Sequence, residues 1–124
     1  MTFVCHPACT TCQKARKSLD GMGVNYEERN IKEDNPTYGE LKAWLAVGGL
    51  PVRKLFNTNG LKYQELGLKD KLPSMDEDAC LRLLATDGML VKRPLLIGDG
   101  LVLVGFRQEA WQAALAPAGR ATSA

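Results

Sequence analysis

A short β-prone run, Thr2 to Cys5 (TFVC), is stopped by His6-Pro7-Ala8 and followed at once by a segment of helical periodicity. This junction narrows the fold more than any other stretch. Cys12, Ala15, Leu19 and Met22 put apolar or small side chains on one helix face. Thr10 with Gln13 fits a capping box at the helix start, and Gly21 and Gly23 bracket its end. Val24 to Arg29 (VNYEER) alternates well enough for a second strand. Strand, helix and strand in that order predict a parallel pair joined by a right-handed crossover.

The pattern turns helical from Asn35, with Asn35 read as the cap and Pro36 at the first position. Leu41, Trp44 and Leu45 fall on one face, and Gly48-Gly49 is the stop. Pro51 to Phe56 fits a short turn of helix, and Asn57-Thr58-Asn59-Gly60 reads as a loop. Ser74 to Glu77 is a second capping box, opening a helix with Cys80, Leu83 and Leu84 inward until Asp87-Gly88. Pro94 to Ile97, the turn Gly98-Asp99-Gly100, and Leu101 to Val104 make a β-hairpin. A last helix from Gln108 to about Leu115 offers Trp111 and Leu115 to the sheet. The expected fold is α/β, a small mixed sheet in the order β-α-β, helical pieces, β-β-α. The expected organisation is one domain over residues 1–116, a helical insertion at about 35–88, and a disordered tail at 117–124.

With 124 residues, 45% of them hydrophobic, the chain has apolar material for one core and too little for two. A formal charge of +2 lacks the basic bias of a general nucleic-acid binder, so no direct nucleic-acid partner is expected. The first twenty residues hold neither a signal-peptide core nor a membrane span, which points to the cytoplasm and to no membrane partner. In that reducing compartment four cysteines do not read as a disulfide framework. A Cys-x-x-Cys pair there is redox-active or metal-binding.

Cys9-Thr10-Thr11-Cys12 opens the first helix, where unpaired N–H groups and a partial positive charge favour a thiolate at Cys9. Cys12 lies three residues on, at the helical spacing that brings Cβ atoms to about 5–6 Å, within reach of a disulfide after modest movement. Cys9 is the candidate nucleophile and Cys12 the candidate resolving thiol. A metal held by Cys5, His6, Cys9 and Cys12 is the competing reading. It is the weaker one, since the four crowd into eight residues and no distant ligand pair accompanies them. No metal and no bound cofactor are expected. Cys5 and Cys80 lie in apolar-periodic segments and read as core. His6, the single histidine, either tunes the thiol or is simply solvated.

Lys92-Arg93-Pro94 leads directly into the third strand, where proline's missing donor costs nothing. Arg93 offers a planar donor fork for an oxyanion or carboxylate beside the thiols, against the plainer reading of a surface salt bridge.

Three groups of residues, taken together, resemble the superfamily of arsenate reductase-like and Spx/MgsR proteins. These are Pro7-x-Cys9-x-Thr11-Cys12-x-Lys14-Ala15; the segment Phe56-Asn57-Thr58-x-Gly60-x-x-Tyr63-x-x-Leu66-Gly67-Leu68; and Lys92-Arg93-Pro94 with Val104-Gly105-Phe106. The resemblance spans Phe3 to about Leu115. It implies a thioredoxin-like fold with a helical insertion, in which Pro94 takes the place of a cis-proline facing the reactive cysteine. It implies that Cys9 is that cysteine, that Arg93 is one of three oxyanion-holding arginines, and that Arg107 lies at or one place from another. Thr10, Thr11, Pro94 and Arg107 are the expected substrate-binding residues. Asn57 stands where the insertion arginine is usual, and Cys5 stands four residues before the reactive cysteine where a histidine is usual, with His6 displaced by one. For the reductase branch the resemblance implies glutathione and glutaredoxin as reductants, acting on a small-molecule or protein disulfide or an oxyanion. For the regulator branch it implies an oxidation switch that binds RNA polymerase. The Phe56 to Leu68 segment favours the reductase-like branch, an enzyme.

Overall fold

The computed structural model describes residues 1–123, with side chains described for residues 1–115; the tail expected at 117–124 lies outside the fully described residues. The opening forms as strand β1 (Thr2–Cys5), helix α1 (Thr10–Gly21) and strand β2 (Glu27–Asn30). An insertion follows: α2 (Tyr38–Gly48), a 3-10 turn at Val52–Leu55, α3 (Leu61–Glu65), α4 (Leu68–Lys71), a turn at Leu72–Ser74, α5 (Glu77–Leu84) and a turn at Gly88–Leu90. Strands β3 (Leu95–Gly98) and β4 (Leu101–Val104) make the hairpin, and α6 (Gln108–Ser123) closes the chain.

The sheet runs β2-β1-β3-β4, with β1 and β2 parallel and the other two pairs antiparallel. The fold class is the mixed α/β sheet that the sequence implies. Alternation along β1 divides the core in two. Phe3 and Cys5 join Cys12, Ala15 and Leu19 of α1, Leu96 and Trp111 on one face. Val4 and Leu95 turn to the other face, against Leu41, Trp44 and Leu45 of α2 and Leu81 and Leu84 of α5. A central strand buried on both sides accounts for the unbroken apolar run Phe3-Val4-Cys5, whereas β2 (EERN) is a polar edge strand.

Three helix starts differ from expectation. The N-cap of α2 is Thr37, not Asn35. Thr37 Oγ1 accepts from the Glu40 N–H at 3.1 Å while Glu40 Oε1 accepts from the Thr37 N–H at 3.0 Å, a complete capping box. Pro36 therefore precedes the cap, and the Asn35 side chain donates to the Ala85 carbonyl at 2.9 Å instead. The N-cap of α1 is Cys9 rather than Thr10, and the Gln13 side chain reaches the Pro7 carbonyl rather than closing a capping box. In α5 the cap is Asp76, with Leu81 rather than Leu83 fully buried. The second strand begins at Glu27, three residues later than the alternation suggests, because its ladder starts only where β1 offers a partner.

One contact fixes the insertion against the opening unit. A side chain at Gly88 would place its Cβ 1.9 Å from the Ile31 carbonyl oxygen, so only glycine permits this approach.

Candidate active site at the start of the first helix

β1 delivers the chain to the top of the sheet, and the His6 to Ala8 turn carries it into α1. The Cys9 N–H donates to the His6 carbonyl at 3.0 Å, and the Ala8 N–H donates to His6 Nδ1 at 3.2 Å. No side chain caps α1. The N–H groups of Thr11 and Cys12 serve the Cys9 sulfur instead, occupying the positions where a capping oxygen would sit. Burial pushes the Cys9 thiol up. The Cys12 N–H, the Cys12 thiol, the Thr11 N–H and the Arg93 guanidinium together outweigh it and hold Cys9 below the usual thiol range.

Cys12 is the opposite case. It is fully buried, and burial pushes its pKa up to about 12; the His6 N–H, donating to Cys12 Sγ at 3.4 Å, opposes this, while the neighbouring Cys9 adds to it. The two thiols are thus pushed apart, one towards thiolate and one held as a protonated donor beside it, the pattern of a nucleophile with a reserve thiol. Both are free thiols, as are Cys5 and Cys80. Burial also pushes Cys5 and Cys80 up, and both sit in the core. Burial first, then Arg93 and Lys32, lowers the His6 pKa, which favours neutral imidazole.

A cavity of about 380 Å³ opens over Cys9 and is lined by Thr11, Asn57, Asn59, Lys92, Arg93, Gly105, Phe106 and Arg107 among others. The structure therefore brings together Cys9, Thr11, Arg93 and Arg107 of the residues singled out from sequence. Cys12 lies buried beneath rather than on the cavity wall, and neither Thr10 nor Pro94 lines it. Thr10 is exposed at the first helical position. Pro94 is buried, its bond to Arg93 is cis, and its carbonyl accepts from the Gly105 N–H at 2.8 Å.

Arg93 is not a salt-bridge partner among the described residues. Its Nη1 donates to the carbonyls of Met89 and Val91 at 3.4 and 3.3 Å, which fixes the fork. Among the described residues its Nε and Nη2 have no protein acceptor and remain available to a ligand. The single bridge Phe56↔Val91, flanked by Asn57 N–H to Leu90 carbonyl at 2.8 Å and Lys92 N–H to Leu55 carbonyl at 2.6 Å, sets the Asn57 loop beside Arg93. Sequence reasoning did not place Asn59 and Lys92 on the cavity. Lys92 carried a signal in its adjacency to Arg93; Asn59 carried only its loop, since the pairing that brings the loop here spans residues far apart in sequence. Among the described residues no group of three or more His, Cys, Asp or Glu is arranged to hold a metal ion, and no helix is long and apolar enough to cross a membrane.

A thioredoxin-like α/β fold with a cysteine pair at the start of its first helix defines the class of protein. The chain belongs to the ArsC family, whose model matches residues 5–114. It is 47% identical over 112 residues to YusI of Bacillus subtilis, covering 90% of this chain and 95% of that one. It is 31% identical over 110 residues to the global transcriptional regulator Spx of Enterococcus faecalis, covering 88% and 81%. The crystal structure of an ArsC-family-related protein from Bacteroides fragilis superposes with a TM-score of 0.88 at 53% identity, covering 90% and 94%.

Proposed function

We propose that the protein is a thiol-disulfide reductase of the ArsC family in which Cys9 attacks and Cys12 resolves. The observation that carries this reading is the opposed state of the two thiols: Cys9 lowered and open to the cavity, Cys12 raised to about 12 and buried beside it. The Cys9 thiolate attacks one sulfur of an oxidised substrate. A Cys9–substrate bond forms as the substrate S–S bond breaks, and the departing thiolate takes a proton from water. Loss of the Cys9 charge in this mixed species removes one of the influences that keep Cys12 protonated. Cys12 then loses its proton and attacks Cys9 Sγ, releasing the second substrate thiol and leaving a Cys9–Cys12 disulfide. Two electrons have passed from the cysteine pair to the substrate, and an external thiol of the glutathione or glutaredoxin class restores the pair.

In this reading Arg93 and Arg107 hold an anionic group of the substrate over Cys9, Thr11 lines its approach, and Thr10 and Pro94 support the loop geometry around it. The test is a pair of variants assayed on a model disulfide with a thiol reductant. Cys9→Ser should lose essentially all activity, and Cys12→Ser should accumulate a mixed disulfide on Cys9 visible by intact mass. Full activity in Cys9→Ser would overturn the reading.

A second reading, favoured by the 31% identity to Spx, makes the same disulfide an oxidation switch for binding RNA polymerase. Retention of polymerase subunits that differs between oxidised and reduced protein would support it, and no retention in either state removes it.

A further inference from the structure

The cavity over Cys9 does not stand alone. Asn57 and Arg93 also line a neighbouring cavity of about 400 Å³, and Lys92, Val104 and Arg107 also line a larger one of about 730 Å³. The three adjoin through these shared residues, with the Cys9 cavity between the other two, and together they exceed what a single oxyanion requires. The two ends differ in charge. The smaller end mixes Lys62 with Glu65 and Asp87. The larger end has a floor that includes Phe56 and Val104 and four cations, Arg53, Lys54, Lys92 and Arg107, with no carboxylate among its lining residues. Among the described residues none of the four makes an ion pair. Arg53 and Lys54 are exposed on the 3-10 turn Val52–Leu55, the segment whose Leu55 carbonyl is bonded to Lys92.

We infer that this groove binds an extended, acidic polypeptide segment flanking a protein disulfide, and so selects acidic protein disulfides as the substrates delivered to Cys9. The inference deepens the reductase reading and rests on it for the chemistry; the recognition rests on the groove. Four uncompensated cations over an apolar floor match carboxylates on a chain that also carries apolar side chains. Continuity through Lys92, Val104 and Arg107 places a disulfide a short way along that chain over the thiolate.

The test uses the full-length protein and three disulfide peptides identical except for acidic, neutral or basic flanks. The wild type should reduce the acidic peptide with kcat/KM about tenfold above the neutral one, as expected of two or three exposed charge pairs, and the gap should narrow with added salt. The variant R53E/K54E, altered at two exposed and unpaired positions outside the Cys9 cavity, should lose that preference, favour the basic peptide and keep the wild-type rate on the neutral one. Fluorescence anisotropy of the same peptides on Cys9→Ser gives a binding order independent of turnover, again with the acidic peptide tightest. Equal reduction and equal binding of all three peptides would overturn the groove and leave the reductase reading intact. Selective binding of the acidic peptide with no reduction by the wild type would support the groove while overturning the reductase chemistry.

Discussion

The lowered pKa of Cys9 follows from what the helix start lacks. A serine or aspartate at the N-cap would consume the N–H groups of the first turn; with cysteine there, the same donors favour a thiolate. The contributions sort themselves by origin: burial opposes ionisation, and backbone donors, Cys12 and Arg93 overcome it. The expected consequence is selective alkylation. With iodoacetamide at neutral pH followed by peptide mass analysis, Cys9 alone should react among the four cysteines, with a midpoint below that of an unperturbed model thiol. Cys5, Cys12 and Cys80, all buried with raised pKa values, should remain unmodified in the folded protein. Reaction of Cys9 no faster than a free model thiol would contradict its assigned activation. The position of this residue at a helix start was legible in the sequence because strand, turn and helix start are all local. The identity of the cap was not, since Thr10 with Gln13 satisfies the same capping pattern one place later.

At the scale of elements, local signals held where a helix or strand can be specified by its own residues. β1 and α1 formed where the periodicity put them, and the 3-10 turn at Val52–Leu55 fell within the expected Pro51 to Phe56. Sequence pattern gave no separate element over 61–71. Helices of five and four residues are not stable alone, and α3 and α4 form because Tyr63, Leu66 and Leu68 pack into the insertion core. The cap of α2 was displaced by tertiary structure as well. Glu40, besides closing the capping box, receives a forked pair from Arg29 of β2 at 2.7 and 2.9 Å. The Arg29 hydrogen bonds, against an opposing cost of burial, hold the Glu40 pKa down to about 2. A carboxylate with a lowered folded pKa contributes stability above its unfolded pKa, and that contribution disappears as the pH falls through the folded value. Glu40→Gln keeps an acceptor for the cap and removes the charge. The variant should therefore be less stable than wild type at pH 7 in urea unfolding, with the difference shrinking from about pH 5 towards pH 2. A difference independent of pH would mean that the ion pair is not what Glu40 contributes.

At the scale of the whole molecule, the sheet order places the cysteine loop after β1 and the Arg93-Pro94 loop before β3 side by side, because β1 and β3 are antiparallel neighbours. The residues that complete the cavity come from the insertion through one bridge, Phe56↔Val91, and from the turn after β4. Order of motifs along the chain was enough to pair Cys9 with Arg93. It could not show that Asn59 would join them or that a cationic groove would extend from the same cavity, because both depend on contacts made only when the insertion closes on the sheet. Two thiols in one protein can be neighbours without being a redox couple, so the account turns on whether Cys9 and Cys12 exchange electrons as a pair. The direct measurement is their reduction potential, by thiol trapping across a glutathione series in the wild type and in a Cys5→Ser/Cys80→Ser background. The account predicts an intramolecular Cys9–Cys12 disulfide in both proteins, with a midpoint of roughly −220 to −320 mV, within reach of cellular glutathione. No Cys9–Cys12 disulfide at any poise would contradict it.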